Sequence, residues 1–210
     1  MPPTKVVILG SGTVAEYAAR TALGLGAEIK IFDKHIYRLR RLKYVLGQQV
    51  YTSTIDPNVL GETISRADVI IGAIRAEEGR SPCVVTEEMI ASMKPDSVII
   101  DVSIDQGGCF ETSEITTHKN PTFKKYGVIH YCVPNIAARV ARTATTALSH
   151  IFTPYIIEIG NSGGIDEMIF KNKWFMRGVY AYKGSLTNAP IARKFNMKYK
   201  DLNLLMAARL

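Results

Sequence analysis

The chain has 210 residues, 47% of them hydrophobic and 21% charged, and a formal net charge of +7. This is ordinary for a soluble globular protein with one domain, or one domain and an appendage, and gives enough apolar residues to bury a core. No apolar run approaches the roughly 18–20 residues of a membrane span. We expect no secretory leader, because the first predicted strand begins at residue 5. Three widely spaced cysteines favour reduced thiols in a cytoplasmic protein over a disulfide framework or a zinc site.

In chain order, the first 150 residues alternate short apolar stretches with segments of helical periodicity. The predicted strands cover residues 5–9, 28–32, 49–53, 69–73, 97–102 and 128–133. The predicted helices cover residues 13–25, 36–46, 57–66, 86–93 and 137–150. Strands that alternate with helices over short connections are typical of a parallel sheet covered on both faces. We therefore predict a Rossmann-type, doubly wound α/β domain over residues 1–150.

Residues 151–210 differ from this domain in pattern and in charge. The apolar periodicity weakens after Pro154, residues 160–164 form a glycine-rich break, and a last helix is predicted over residues 188–195. Six of the seven excess positive charges lie in residues 161–210, where nine Lys and Arg stand against three Asp and Glu. A basic tail is one signature of nucleic-acid binding. These charges alternate with core-like aromatic residues, however, so we expect a helical tail that packs against another surface, with no nucleic acid as partner.

A dinucleotide-binding pattern follows the first strand. Gly10-Ser11-Gly12 leads into a helix that opens with Thr13 and Val14, giving G-x-G-x-x-A. The first glycine permits a tight turn, the second lets a pyrophosphate approach the backbone, and the first helical turn offers N–H donors to phosphate. Asp33 follows at the end of the second strand, where a carboxylate accepts hydrogen bonds from ribose hydroxyls. Together these residues predict a bound dinucleotide.

The charges after the second strand bear on the choice between NAD and NADP. Asp33 repels a 2′-phosphate and therefore favours NAD. Lys34, Arg38, Arg40 and Arg41 follow it directly and leave NADP open, because cations at that place accept a phosphate. At helical spacing such cations are also typical of a solvated helix face.

Two further strand ends are candidates for the reacting part of the site. The apolar strand at residues 97–102 runs into Asp105 and the pair Gly107-Gly108, where backbone or ligand can come close. Asp105 is predicted to orient an amino or imino group, or a water, at the nicotinamide; the alternative is an ordinary turn or cap residue. Gly72 ends the fourth strand, and either a ribose or nicotinamide crosses it or it makes a tight packing contact.

Several runs of the sequence carry a resemblance to a known family. They are DVSIDQGGCFETS at residues 101–113, TTH at 116–118, PTF at 121–123 and HYCVPN at 130–135. These runs closely resemble the C-terminal half of NAD-dependent alanine dehydrogenases, and the resemblance covers nearly the whole chain. The related transhydrogenase subunit shares the fold but usually has glutamate at the position of Asp105.

The resemblance implies oxidation of L-alanine to pyruvate and ammonia with hydride transfer to NAD. It implies a catalytic role for Asp105 beside the nicotinamide, and places Asn135 near the cofactor amide and the substrate. Two departures from the family are Glu114, where arginine is common, and the loop at residues 134–139. The positions that match the family's cofactor contacts are Gly10, Gly12, Asp33, Arg38, Ile74, Arg75, Val102, Ser103, Ile104, Asp105, Val133, Pro134, Asn135 and Ile136.

Family members are nearly twice as long, and their N-terminal half supplies a substrate-binding arginine, a lysine and an acid–base histidine. We expect that half to be absent from this chain, and residues 151–210 to be the C-terminal segment of the substrate domain that it forms. His118 and His130 are not expected to replace the missing histidine: His118 is predicted to be structural and His130 to lie in the core or a cleft wall. The isolated chain is therefore expected to bind NAD, to turn over alanine weakly or not at all, and to self-associate, in a family that is commonly hexameric.

Two other functions remain open from the sequence. One is the NAD-binding component of a transhydrogenase, against which Asp105 and residues 109–113 weigh. The other is a non-catalytic NAD-binding interaction module, which the missing half makes plausible. Neither a membrane nor a metal is expected as a partner.

Overall fold

The computed structural model describes residues 2–76 and 79–207. The chain divides into two compact units, Met1–Ile136 and Ala137–Leu210. Among the helices of the described residues, none has both the length and the apolarity needed to cross a membrane.

The first unit is built on one seven-stranded sheet. Its strands are β1 (Lys5–Leu9), β2 (Glu28–Phe32), β3 (Tyr51–Ser53), β4 (Val69–Gly72), β5 (Val98–Asp101), β6 (Thr122–Lys125) and β7 (Val128–Tyr131). They lie in the order β3-β2-β1-β4-β5-β7-β6, and all neighbouring pairs are parallel except β6 with β7. This confirms the predicted Rossmann-type α/β fold. The sequence did not predict β6, because a four-residue edge strand of sequence TFKK carries almost no apolar signal.

Helices cover both faces of this sheet. They are α1 (Thr13–Gly24), α2 (Ile36–Leu46), α3 (Pro57–Ser65) and α4 (Glu87–Ala91). Because successive side chains of a strand point to opposite faces, Val6 and Ile8 pack with α1 and α2, whereas Val7 and Leu9 pack with α3 and α4. The central strands β1, β4 and β5 are therefore buried on both faces, which explains why their sequences are continuous apolar runs.

Local signals fix where several helices begin and end. Asp56 caps α3 by accepting hydrogen bonds from the N–H groups of Asn58 and Val59, and Thr86 caps α4 by accepting from Met89. Gly47 ends α2 in the left-handed conformation that glycine adopts without strain. These ends agree with the sequence prediction to within a few residues.

The second unit has a long helix followed by short elements. They are α5 (Ala141–Asn161), α6 (Ile165–Lys171), α7 (Lys173–Met176), β8 (Ala181–Tyr182), β9 (Ser185–Leu186), α8 (Ala189–Lys194) and α9 (Leu202–Ala207). A short 3-10 turn, Ile136–Val140, precedes α5. One hydrophobic cluster of the second unit consists of four buried residues, Ile169, Tyr182, Leu202 and Met206. The prediction of a helix over residues 188–195 is confirmed by α8.

The predicted helix over residues 137–150 and the boundary after residue 150 need correction. The helix begins at Ala141 and continues through Pro154 to Asn161, so residue 150 lies inside it. Proline lacks one N–H and disfavours the helix interior, which is why the sequence pattern was interrupted there. The compact units instead separate after Ile136. The assignment of the tail to a substrate domain stays a prediction.

Candidate functional site

The carboxyl ends of four strands lie side by side. Phe32 pairs with Leu9, Leu9 with Gly72, and Gly72 with Asp101, so β2, β1, β4 and β5 end in one row. The segments that follow these residues therefore share one edge of the sheet. In open α/β sheets this is the edge where ligands bind.

The turn after β1 needs glycine at its first position. Gly10 has φ +107°, its N–H donates to the Phe32 carbonyl at 2.7 Å, and a Cβ built on it would lie 2.4 Å from the Ala73 carbonyl oxygen. Since the atoms that this Cβ would meet are backbone atoms of Ala73, directly after β4, no side chain can be accommodated at Gly10. The predicted role of Gly10 in a tight turn agrees with this geometry.

The start of α1 is open. Gly12 is its N-cap, makes no side-chain capping bond, and a Cβ built on it would meet nothing within 4 Å. Thr13 and Val14 are exposed. The first N–H groups of a helix have no partner within the helix, and they carry the positive end of its dipole. A phosphate group suits this helix start, because the space beside Gly12 is open and the first N–H groups can donate to it.

The carboxylate of Asp33 is held in place at the end of β2. Ser11 Oγ donates to Asp33 Oδ2 at 2.7 Å, and the His35 N–H donates to Oδ1 at 2.7 Å. Asp33 is 6% exposed. Each carboxylate oxygen has a second lone pair, so both can still accept from a ribose hydroxyl. The hydrogen bond from Ser11 was not predicted, because its only signal in the sequence is a hydroxyl residue between the two glycines.

Arg38 lies in the first turn of α2. Its guanidinium sits 5.7 Å from the centroid of the Tyr37 ring, and Nε donates to the Tyr37 hydroxyl at 3.1 Å. The family-based assignment of Arg38 to the cofactor stays a prediction.

Asp105 and Asn135 come together from two different strands. Asp105 lies in a 3-10 turn, Ile104–Gln106, after β5, while Asn135 follows β7. Asp105 Oδ1 accepts a hydrogen bond from the Asn135 N–H at 2.8 Å, and both residues are exposed. Asn135 has φ +51°, a left-handed conformation that asparagine tolerates better than most residues. The pair therefore joins the two loops and leaves the second oxygen of Asp105 at the surface.

Asp101, which the sequence analysis did not single out, organises the loop that carries Asp105. Its Oδ1 accepts from the Ser103 N–H at 2.9 Å, and its Oδ2 accepts from the Cys109 N–H at 3.1 Å and from Ser113 Oγ at 2.6 Å. The side chain is buried, and this burial raises its pKa although the three hydrogen bonds act in the opposite direction. The available signal was a carboxylate at the end of an apolar strand.

The glycines near Asp101 make room for protein atoms. A Cβ on Gly72 would lie 2.5 Å from Cys109 Sγ and 2.6 Å from the Phe110 ring. A Cβ on Gly108, which has φ +77°, would lie 2.6 Å from Asp101 Oδ2. Of the two interpretations of Gly72, the structure favours a close packing contact, here with a loop. The idea that a ligand crosses this residue is not supported, because its space is filled.

The segment after β4 is tied to the Asp105 turn. The Ala76 N–H donates to Gln106 Oε1 at 3.0 Å, and Ser81 Oγ donates to the Ile74 carbonyl at 3.0 Å. Ile74 is half-buried, whereas Arg75 is exposed to solvent. The side chain of Gln106 was missed by sequence reasoning, although it lies within the Asp-Gln-Gly-Gly run.

The remaining predicted contact residues differ in what they can offer a ligand. Ser103, Ile104 and Val133 are buried. Val102, Pro134 and Ile136 are half-buried at the same edge. All of these residues follow β5 or β7 directly, and their role in cofactor binding stays a prediction.

His130 lies in the core of the first unit, whereas His118 is half-buried in the loop before β6. His130 is fully buried in β7 and stacks on Phe123, with ring centroids 4.7 Å apart. Its Nδ1 lies 3.1 Å from the Val128 carbonyl, and Nε2 lies 2.8 Å from Thr112 Oγ1. Since a carbonyl only accepts, Nδ1 carries the proton and Nε2 accepts from threonine. Burial lowers the pKa of His130, so it is a neutral structural residue, as predicted.

The three cysteines are free thiols. Burial raises the pKa of Cys109 well above its usual value and that of Cys132 to about 11. The pKa of Cys83 is also raised, chiefly by burial. Because the thiolate is the nucleophilic form, none of them is activated for nucleophilic chemistry at neutral pH.

The comparisons with known proteins agree on one family. The model of the family "Alanine dehydrogenase/PNT, C-terminal domain" matches residues 1–189. An alanine dehydrogenase of Halomonas elongata is 41% identical over 201 residues, which are 95% of this chain and 53% of that protein. Alanine dehydrogenase 2 of Staphylococcus aureus is 41% identical over 203 residues, 96% of this chain and 54% of that protein. The chain thus spans about half the length of these relatives.

Solved structures give the same picture. An L-alanine dehydrogenase superimposes with a TM-score of 0.83 at 35% identity, over 93% of this chain and 54% of that chain. A transhydrogenase from Sinorhizobium meliloti superimposes with a TM-score of 0.66 at 24% identity, over 76% of this chain and 46% of that one, which bears on the fold alone. From sequence, fold and structural likeness together, this chain belongs to the alanine dehydrogenase/PNT C-terminal domain family.

Proposed function

We propose that this chain is the NAD-binding part of an alanine dehydrogenase, which converts L-alanine to pyruvate and ammonia. The observation that carries the proposal is the hydrogen bond between Asp105 and Asn135, at the same sheet edge as the open start of α1. One end of that edge suits a phosphate and a ribose, and the other presents a carboxylate and an amide. This is the layout that a dinucleotide-dependent oxidoreductase requires.

The adenosine end of the cofactor is held by the turn after β1 and by β2. Gly12 and the first N–H groups of α1, at Thr13 and Val14, receive the pyrophosphate. Asp33, fixed by Ser11, accepts from the adenosine ribose. By the family resemblance, further contacts to the cofactor are assigned to Gly10, Arg38, Ile74 and Arg75. The unfilled space at Gly12 supports this assignment, because a Cβ there would narrow the approach.

The reacting end lies between the segments that follow β5 and β7. A bound NAD would supply the acceptor for the hydride that leaves the α-carbon of alanine. The free oxygen of Asp105 orients the substrate's amino group, and its negative charge stabilises the cationic imine character that develops as the hydride departs. The Asn135 N–H keeps the carboxylate in place. We assign the side-chain amide of Asn135 to the substrate, as the family resemblance implies. Backbone atoms of residues 102–104 and 133–136 line the nicotinamide.

The acid–base group comes from outside this chain. His130 is buried and neutral between Thr112 and Val128. The relatives are about twice as long, and we infer that their remaining part supplies the groups that bind the alanine carboxylate and move its protons. Residues 151–210 form part of the substrate domain together with that part. The complete enzyme is a cytoplasmic homo-oligomer, and the chain by itself binds NAD with little or no turnover.

Binding of NADH tests the cofactor assignment. We expect NADH to quench protein fluorescence with saturation for the wild-type chain, and about tenfold more weakly for Asp33→Asn, because one charged acceptor is lost. Asp96→Asn is the matched control, since Asp96 is an exposed carboxylate in the turn before β5, bonded to Lys124. A wild-type chain without saturable NADH binding contradicts the proposal.

Complementation tests the reaction. The chain is mixed with an N-terminal half of the Halomonas elongata relative, and loss of NADH absorbance is followed with pyruvate and ammonium present. Asp105→Asn is expected to bind NADH normally but to lose at least about a hundredfold in rate, since the charge at the reacting end is removed. An unchanged rate in that variant refutes the role of Asp105. Hydride exchange with an NADP-binding partner, in place of pyruvate-dependent oxidation, would indicate the transhydrogenase alternative.

A further inference from the structure

The glutamate in the first turn of α1 binds two arginines at once. Glu16 Oε1 accepts from Arg20, with Nη2 at 3.3 Å and Nε at 3.4 Å, and Glu16 Oε2 lies 3.5 Å from Arg41 Nη1. The side chain of Glu16 is 16% exposed, against 51% for Arg41. Each carboxylate oxygen is therefore committed to one guanidinium, in a partly buried position where screening by water is reduced.

Arg41 reaches the glycine turn. Its Nη2 donates to the Ser11 carbonyl at 3.4 Å, and the hydroxyl of the same serine donates to Asp33. A continuous chain of contacts thus runs from Glu16 through Arg41 and Ser11 to Asp33. Ser11 is the only residue in this chain of contacts between the Arg41 guanidinium and the Asp33 carboxylate, which is assigned to the adenosine ribose.

Arg41 depends on Glu16 more than Arg20 does. Arg20 also donates to the Val45 carbonyl at 2.7 Å, so it stays anchored without the glutamate. Apart from Glu16, Arg41 has only its long contact with the Ser11 carbonyl among the contacts of the described residues. Loss of the Glu16 charge would therefore release Arg41 and leave Arg20 where it is. The released guanidinium has the planar donors that suit a phosphate.

Resting on the proposed function, we propose that Glu16 determines cofactor specificity by withholding Arg41 from a 2′-phosphate. Two carboxylates then exclude NADP. Asp33 repels the phosphate directly, and Glu16 neutralises and positions the cation that would otherwise attract it. Glu16 touches neither cofactor nor substrate, so it acts as a positioning residue through Arg41.

The experiment measures the dissociation constants of NADH and NADPH, by fluorescence titration at low ionic strength, and uses their ratio. The variants are Glu16→Gln, Glu16→Gln with Arg41→Gln, and Glu16→Gln with Arg20→Gln. The two double variants have the same net charge as the wild type, so general electrostatics cannot separate them. Glu62→Gln is the surface control, because Glu62 pairs with Arg66 on α3. Circular dichroism verifies that each variant is folded.

In Glu16→Gln the ratio is expected to move toward NADPH by about threefold to fivefold, the range of one partly exposed ion pair. The Arg20 double variant keeps this gain, whereas the Arg41 double variant and Glu62→Gln return the wild-type ratio. An unchanged ratio in Glu16→Gln, or equal ratios in the two double variants, overturns the inference. A wild-type chain that fails to bind NADH defeats the proposed function instead, so the two failures are distinguishable.

Discussion

The two compact units of this chain differ in how they bury apolar side chains. In the first unit, both faces of the sheet carry a core: Ile8 and Leu9, adjacent in β1, are both fully buried on opposite sides. In the second unit, the 21-residue helix α5 has no buried residue at all. Five of its large apolar side chains are more than half exposed: Leu148, Ile151, Phe152, Ile156 and Ile157.

This difference shows which part of the chain is self-sufficient. A sheet covered on both faces removes enough apolar surface from water to offset the loss of chain entropy. The second unit has only six buried apolar residues among those described, Met168, Ile169, Tyr182, Ala192, Leu202 and Met206, and so small a core does so only marginally. The contiguous apolar face of α5 is typical of an interaction surface. The expectation that this part of the chain packs against another surface therefore has a defined place to be tested, the exposed apolar face of α5.

The largest expected effect is the loss of a buried side chain in the first unit, with an exposed side chain of the second unit as its control. Leu60 of α3 is fully buried, so Leu60→Ala is expected to lower the free energy of unfolding of the first unit by about 2–5 kcal/mol. Leu204 of α9 is 72% exposed, and Leu204→Ala is expected to change stability by less than about 0.5 kcal/mol. Hydrogen exchange at the amides of strands β1, β4 and β5, followed in urea, reports on the first unit. The single tryptophan, Trp174, reports on the second.

If the two units unfold separately, Leu60→Ala shifts the exchange profile and leaves the Trp174 transition in place. A common shift of both signals would show that the units are one cooperative structure, and the comparison above would fail.

The next effect concerns the buried carboxylate that shapes the Asp105 loop. Asp101→Asn replaces one carboxylate oxygen by an NH₂ group. In either amide orientation this NH₂ meets donors in place of an acceptor, either the Ser103 N–H or the Cys109 N–H and the Ser113 hydroxyl. We expect a loss of about 2–3 kcal/mol, the range for hydrogen bonds to a buried charged group. Chemical denaturation measures it, with Asp96→Asn as the exposed control. Equal stabilities would mean that the loop does not depend on Asp101.

Helix α5 offers a test that measures self-association of the chain in place of its stability. Ile151→Glu together with Ile156→Glu places charges on its exposed apolar face. We expect self-association of the chain to weaken by about tenfold or more, because each isoleucine contributes roughly 1.5–3 kcal/mol when buried. The stability of the first unit stays the same. Sedimentation velocity measures the association, and Glu158→Gln on the same helix is the control. Unchanged association would exclude this face as the contact.

The smallest effect is a pH dependence confined to the first unit. Burial lowers the pKa of His130 in the folded state below its usual 6.5. Between the lowered pKa and 6.5 the unfolded chain binds more protons than the folded one, so stability is full above pH 6.5 and declines as pH falls through that window. His130→Gln is expected to reduce this slope, measured by urea unfolding from pH 7.5 to 5. His150→Gln, on exposed α5, is expected to leave it unchanged; equal slopes in the two variants would contradict the assignment.

Much of the site could be predicted from the sequence, because its residues follow buried strands directly. Gly10, Asp33 and Asp105 each come within a few residues of a β1, β2 or β5 end, and parallel strands bring such ends to one edge. The contacts between residues far apart in sequence could not be predicted. Ser11 with Asp33, Asp105 with Asn135, and Gly72 against Cys109 depend on side-chain directions that only the packed loops define.

The sequence by itself determined the alternation of strands and helices, the glycine turn and the family, since these depend on local propensity and on short runs of residues. The tertiary structure decided the rest. It showed that Asp101 anchors the Asp105 loop, that Gly72 contacts protein, and that α5 runs through Pro154. The physical reason is that burial, hydrogen-bond partners and close approach are properties of atoms brought together by folding, and sequence spacing specifies them only where the chain continues directly from a strand or a helix.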